Sequence, residues 1–498
     1  MLTPHDPRSD RAETCPGSLP FFLAGFLLAA AAWLWLMKSV FVVQPGDEGI
    51  YLYDSFLASR GDLPYRDFFL AHPPLRILAG AGLFSLGLPA VVVKSLAPLA
   101  LVGAALLAGL TILRQPGGRP AWAVLASVFL LFASQSIQAC GSWVGVETAA
   151  ILVAAAAYAL SRRRFAVAGL LLALASWQAL YAVLPVPVLA IWAWRERGLR
   201  PFLAGLAAGP VLHGLTWAAC GNAYVEQVFL YHLHKVGTDT FADPVERLLV
   251  FVYGDVGLLA FALAGLLHRD RVSRWSAIAG LSCVAVVAAY SSLMTFYFIV
   301  AFPLLAVASA CGLRHLSGLV RNRWVGAVAV FAAVAVTYLP HVSGALGLGE
   351  IREREAVEVE AFVARVDRCR PDSGRIWGTG SLVPMLALRT GLAVAGGEVD
   401  TDDKRFTSGA SDIGTVMDRA LSEPAPLVIL ALDHGLDLVP GARERLAATW
   451  VPIHAFDLQA AGYRGLILAP PAEADRSRGC LQEAGGPSPS SSRRDDGL

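Results

Sequence analysis

Apolar residues along this chain are gathered into long blocks separated by short polar connections. Runs nearly free of charge lie near residues 20–43, 90–113, 121–139, 146–160, 165–181, 183–195, 200–219, 247–267, 275–291, 295–313 and 324–343. A helix needs about 20 apolar residues to cross a hydrocarbon core, because every backbone amide must be bonded within the segment there. The pattern predicts a polytopic α-helical membrane protein with about eleven transmembrane helices. The fourth and sixth runs are short. The fifth and sixth share one apolar block broken by Pro185 and Pro187, which reads as two spans or as an irregular hairpin. The first run is too long for a signal-peptide core and has no small-residue cleavage site after it, so it reads as an anchor. Residues 1–19 before it, with Pro4, Pro7, Arg8, Asp10 and Arg11, read as a short cytoplasmic tail.

The polar connections fix an orientation. Arg114 and Arg119 follow the second run, Arg162 to Arg164 the fourth, and Arg195, Arg197 and Arg200 the sixth. His268, Arg269, Arg271 and Arg274 follow the eighth, and Arg314, Arg321 and Arg323 the tenth. Short loops rich in Arg stay cytoplasmic, which places the N-terminus with them. A loop from about 44 to 89, a second from about 220 to 246 and everything after 343 then face outward.

The transmembrane unit is expected to span 20–343, followed by an extracytoplasmic α/β domain over 344–475 and a disordered tail over 476–498. In the α/β part Val359, Phe362, Val363 and Val366 form a helical stripe, and Ile376–Trp377 a short strand before a Gly-rich turn. Strands are also expected near 427–432 and 466–468. No internal repeat is visible.

Composition agrees with lipid as the main solvent. Of 498 residues 56% are hydrophobic and 16% charged, against about 25% charged in a typical soluble domain. A net charge of +1 gives no bulk attraction to nucleic acid. The seven cysteines are singletons, with no Cys/His set at metal-ligand spacing. Cys15, Cys140, Cys220, Cys283 and Cys311 lie in the tail or in apolar runs and read as small hydrophobes. Cys369 and Cys480 fall in the C-terminal part, as free thiols or as a disulfide.

The first outward loop is too apolar for a solvated linker and has the makeup of two helices lying on the membrane surface. It carries Asp47-Glu48-Gly49-Ile50-Tyr51, then Gly61 to Asp67 with Pro64-Tyr65-Arg66-Asp67, then His72-Pro73-Pro74-Leu75. The order D-E-G-x-Y, G-x-x-P-Y-x-D and H-P-P-L resembles the GT-C superfamily of membrane glycosyltransferases. In particular it is similar to bacterial relatives of dolichyl-phosphate-mannose protein mannosyltransferases and of lipid A aminoarabinose transferase. Residues 169–185 and Tyr297-Phe298 with Pro303 extend the likeness over roughly 20–310.

The resemblance implies inverting transfer of one sugar from a polyprenyl-phosphate donor to an acceptor hydroxyl at the outer face of the plasma membrane. The acceptor would be a lipid, a polysaccharide or a protein. Such a hydroxyl is a poor nucleophile and needs a carboxylate within reach to take its proton. Asp47 is the candidate base, with Glu48 to orient it or bind the acceptor; otherwise the pair merely starts a surface helix. The resemblance places a second acid near Glu147, whose alternative is an interfacial residue reaching headgroups.

A leaving phosphate calls for positive charge, which side chains can supply without a metal. Arg66, Arg76, Lys94, His232, His234 and Lys235 are the candidates, Lys94 having snorkelling as its alternative and Arg66 a pairing with Asp67 or Asp62. A divalent cation is left open. Many relatives carry Lys where this chain has Trp177 before Gln178. Asp255 reads as a helix–helix hydrogen-bonding group. Asp400-Thr401-Asp402-Asp403 reads as an exposed acidic loop rather than a metal-nucleotide motif. A transporter or flippase of lipid-linked sugars is the rival reading, disfavoured because the charges cluster outside and no inverted repeat is visible.

Overall fold

The computed structural model describes residues 18–138, 143–234, 243–290, 294–422 and 424–484. Every apolar run of the sequence contains a helix. Among the described residues, six helices are long and apolar enough to cross a bilayer: Ser18–Leu36, Ala90–Leu113, Leu199–Cys220, Arg271–Ala289, Phe302–Leu319 and Arg323–Arg368. Pro244–Gly254 and Val256–Leu267 add a seventh if taken together, bent by 92°. Pro120–Leu131, Val146–Ser161, Phe165–Gln178 and Leu180–Arg195 are shorter. This is a multi-pass helical membrane protein with six or seven spans by length and composition.

The helices pack through small residues rather than large ones. A Cβ at Gly169 or Gly205 would lie 2.0 Å from a carbonyl oxygen of the facing helix, and one at Gly312 1.9 Å from the Phe261 oxygen. Close backbone approach of this kind replaces the hydrophobic driving force that lipid removes. Asp255, fully buried at the 92° bend, accepts hydrogen bonds from Ser134 N (2.8 Å) and Ser134 Oγ (2.5 Å). The helix–helix role expected for it is the one observed.

The boundary expected at residue 344 falls inside a single helix of 46 residues, Arg323–Arg368. Its second half delivers the Val359, Phe362, Val363 and Val366 stripe into the α/β domain, where all four are buried. The sheet has five strands: β1 (Arg375–Gly378), β2 (Ala393–Val394), β3 (Leu427–Ala431), β4 (Val451–Leu458) and β5 (Tyr463–Ala469). Their order is β2-β1-β3-β5-β4, with β1 parallel to β2 and β3, and β5 antiparallel to β3 and β4.

At the C-terminus one expectation is corrected and one open pairing is decided. Residues 476–484, expected in a disordered tail, belong to the helix Ala474–Ala484. Cys480 on that helix is bonded to Cys369 at the end of the long one, so the open pairing resolves as a disulfide. The tails 1–17 and 485–498 lie outside the described residues.

The two surface helices of the first loop are Asp47–Ser59 and Leu75–Ser85. They share one apolar core with the α/β domain, in which Ile50, Leu52, Tyr53, Phe68 and Ile77 join Trp377, Met385 and Val394. Gly46 N donates to Ser381 O (2.7 Å) and Val394 N to Tyr53 Oη (3.0 Å). A Cβ on Gly49 would meet Met385 at 3.1 Å. The domain is therefore seated directly on the first surface helix.

Candidate functional site

Asp47 is the first residue of its helix, and Gly46 at φ 110° occupies the cap position, with no side-chain cap. Asp47 does not close the helix end itself; it is an exposed acid in the first turn, where the dipole favours a negative charge. Tyr51 and Asp54 follow at the spacing of one helical face. Asp47 lies within electrostatic reach of Tyr51. Asp54 is fully buried, and neither of its carboxyl oxygens has a hydrogen-bond partner. Burial, with added repulsion from Asp400, raises its affinity for a proton well above the usual carboxylate range.

Glu48 points the other way. Its Oε1 lies 2.6 Å from Lys94 Nζ, with both side chains almost wholly buried. Gln44 N and Trp143 N also donate to it, at 3.1 and 3.3 Å. Lys94 Nζ donates to Val42 O as well. Burial pushes the Glu48 carboxyl up while Lys94 pulls it down. Glu48 and Lys94 form a buried pair that ties the surface helix to the start of the Ala90–Leu113 span, where the sequence suggests Lys94 as a phosphate-binding or snorkelling cation and Glu48 as a partner of Asp47 or of the acceptor.

Arg76 stands out by what it lacks. It is 3% exposed, its Nε has no hydrogen-bond partner, and it makes no ion pair among the described residues. Its guanidinium lies 3.8 Å over the Tyr51 ring, a cation–π contact that favours the charge without neutralising it. Gly145 makes room for it. At φ 89°, a Cβ there would stand 2.6 Å from Arg76 Nη1 and 2.3 Å from Gln178 Nε2. Gln178 Nε2 donates to Gly145 O (3.3 Å), and its buried Oε1 has no partner. Glu147, fully buried, opens the next helix two residues on. Trp177 donates from Nε1 to Thr216 Oγ1 (3.0 Å).

The Pro64–His72 segment is held by its own turn and by a residue that the sequence reading missed. Tyr65 takes φ 70°, rare for a non-glycine residue, and its hydroxyl donates to His72 O (2.7 Å). Gln227, from the second loop, donates to Tyr65 O (3.0 Å) and accepts from Leu70 N (2.9 Å). Arg66 is paired with Asp67 at 3.0 Å on the surface, and Asp67 also accepts from Leu63 N. Pro73 is buried, and Pro74 precedes the second surface helix as its cap residue. The His72 and His232 rings lie 5.3 Å apart, and a His232 ring nitrogen lies 2.7 Å from Ala71 O. His234 is exposed, and Lys235 lies outside the described residues.

This segment borders two cavities of different character. On one side an apolar cavity of about 350 Å³ is lined by His72, Tyr181, Leu184, His232, Tyr290 and Tyr297. On the other a polar cavity of about 280 Å³ lies between Tyr65–Phe69 and the α/β domain. Its far wall carries Glu398, which holds Arg405 at 2.8 Å and Arg419 at 2.7 Å. Arg405 also stacks over Phe69 at 4.6 Å.

Asp400 corrects a further expectation. It is half-buried, not exposed, and is felt by Asp47, Tyr51 and Asp54 of the surface helix. Burial, then repulsion from Asp402, pushes it up to about 7. Among the described residues, no group of three or more His, Cys, Asp or Glu is placed to hold a metal ion.

Two solved structures share this architecture. ArnT from Cupriavidus metallidurans bound to undecaprenyl phosphate superposes with a TM-score of 0.65 at 14% identity, over 95% of this chain and 100% of that one. The fold is ArnT-like. The apo state of the same protein gives a TM-score of 0.66 at 14% identity, over 95% and 99% of the two chains. No family model matches the chain, and no curated protein does.

Proposed function

We propose that this protein is an inverting glycosyltransferase that moves a sugar from a polyprenyl-phosphate carrier to an acceptor hydroxyl at the outer membrane–water boundary. The observation that carries the reading is Arg76, a buried guanidinium in no ion pair among the described residues, lying 3.8 Å over the Tyr51 ring and within electrostatic reach of Tyr181, which lines the apolar cavity. Asp54 is within electrostatic reach of Arg76, but burial pushes that carboxyl toward its neutral form, so an anionic ligand would supply the close counter-ion that a buried guanidinium calls for. The likeness to an ArnT structure that holds undecaprenyl phosphate supports a lipid phosphate as that anion, as do the loop motifs.

In this reading the carrier's isoprenoid end lies against Tyr181, Leu184 and Tyr297, and its phosphate on Arg76, with His72 and His232 beside it. The acceptor enters from the polar cavity. Its oxygen attacks C1 of the sugar as Asp47 takes the proton, and the C1–O bond to the carrier breaks with both electrons leaving on the phosphate. Arg76 offsets that developing charge. Glu48 and Lys94 set the tilt of the helix that presents Asp47. Glu147, below Gly145, shapes the inner wall. The eleven segments cross the membrane with the arginine-rich loops inside, which puts Asp47 and the α/β domain outside.

Transfer should be measured with purified protein in detergent, where translocation has no meaning. Asp47→Asn should abolish transfer while leaving undecaprenyl-phosphate binding intact, and Arg76→Ala should abolish both. Unchanged sugar transfer by Asp47→Asn would remove the assignment of the base.

A further inference from the structure

A second charged cavity lies at the other end of the helices. Glu147 and Arg162 mark opposite ends of the Val146–Ser161 helix, about 22 Å apart at the usual rise per residue. Around Arg162 a cavity of about 540 Å³ is walled by arginines from four different helix ends: Arg114, Arg162, Arg163, Arg269 and Arg271. Its floor is apolar, made by Leu160, Trp192 and Val272.

Among the described residues, two acids, Glu196 and Asp270, line the cavity with these five cations. Glu196 is already divided between Arg163 at 3.3 Å and Arg271 at 2.9 Å. Asp270 is spent as the cap of the Arg271–Ala289 helix, accepting from Val272 N and Ser273 N. Arg114, Arg162 and Arg269 have no ion-pair partner among the described residues, and all three are exposed. Five cations against two acids leave a surplus of three positive charges on one concave surface. Arginine ends of apolar helices sit at the depth of lipid headgroups, and the apolar floor suits the start of acyl chains.

We propose that this cavity binds the headgroup of an anionic phospholipid, the phosphate lying among Arg114, Arg162 and Arg269. The site is separate from the proposed transfer site and does not depend on that reading. Delipidated full-length protein in detergent should be titrated with cardiolipin, phosphatidylethanolamine and inorganic phosphate by native mass spectrometry. Cardiolipin should bind, and phosphatidylethanolamine should not. The triple variant R114A/R162A/R269A should bind cardiolipin roughly a hundredfold more weakly, given the usual contribution of each basic residue at an anionic surface. Arg464→Ala, in an exposed pair with Asp433 in the α/β domain, should bind as the parent does.

If the triple variant does not run as a single species on gel filtration, the single substitutions Arg114→Gln, Arg162→Gln and Arg269→Gln are titrated instead, and each should weaken binding. A folded variant with undiminished cardiolipin binding overturns the proposal. Inorganic phosphate displacing cardiolipin at comparable concentration also overturns it, because the site would then be a phosphate site and not a lipid one.

Discussion

Arg76 and Gly145 show how one small residue governs a charged one. The guanidinium can sit 3.8 Å over Tyr51 because the backbone at 145 carries no side chain, and the φ of 89° suits glycine as well. Gly145→Ala should displace Arg76 and Gln178 while leaving the Val146–Ser161 helix in place. We expect undecaprenyl-phosphate affinity to fall at least as far as transfer at saturating donor, read as a rise in KM larger than the loss in kcat. Loss of kcat alone, with KM unchanged, would dissociate Gly145 from the phosphate position. Arg76 was legible in the sequence as a cation in the right loop, but its isolation was not, since a missing partner is a property of the fold. Asp54 was overlooked altogether. Its signal was the i, i+4, i+7 spacing from Asp47 through Tyr51, hidden because most of the intervening residues are apolar and read as an ordinary amphipathic helix.

The first surface helix carries two different polar faces, and Glu48 shows which one is structural. Adjacent acids in a sequence suggest shared chemistry, yet a step of one residue turns a side chain by about 100° around a helix. Asp47 therefore faces the α/β domain while Glu48 turns inward to Lys94. Breaking a buried pair by removing one partner costs about 3–5 kcal/mol, whereas replacing both can be nearly neutral. Glu48→Gln and Lys94→Met should each lower the melting temperature of the detergent-solubilised protein markedly, and the double variant should recover most of the loss. Additive losses in that cycle would show that the two side chains do not depend on each other. The helices themselves were legible because a 20-residue apolar block admits almost no other structure in lipid. The bend at Asp255 and the break between Leu131 and Ser134 were not, because apolar composition is the same on both sides of a kink.

At the scale of the molecule, the sequence suggested a separate outer domain and the structure shows a seated one, since the core that packs β1 and β3 includes the first surface helix. Boundaries drawn from hydropathy cannot see this: the switch from apolar to charged composition near 344 falls inside a helix that continues unbroken to Arg368. Seating brings Asp400 within electrostatic reach of Asp47 and Asp54, and this makes the docking depend on pH. The ordinary value for such a carboxyl is 3.8, and in the folded chain it is pushed up to about 7, first by burial and then by Asp402. Between these two values the folded protein holds a proton that the unfolded chain has released. Fewer protons on the unfolded state mean that stability falls as pH rises through that window and levels off above it. Asp403, raised to about 6 by burial and by Asp402, acts in the same direction. Hydrogen exchange at Val394 N, which bonds to Tyr53 and so reports the seat directly, should be slower at pH 5 than at pH 8 after correction for intrinsic rates. Asp400→Asn should reduce that difference by raising protection at pH 8, with the remainder left to Asp54 and Asp403. If protection instead increases with pH, or the variant keeps the full difference, the acids across the seat are not what the domain responds to.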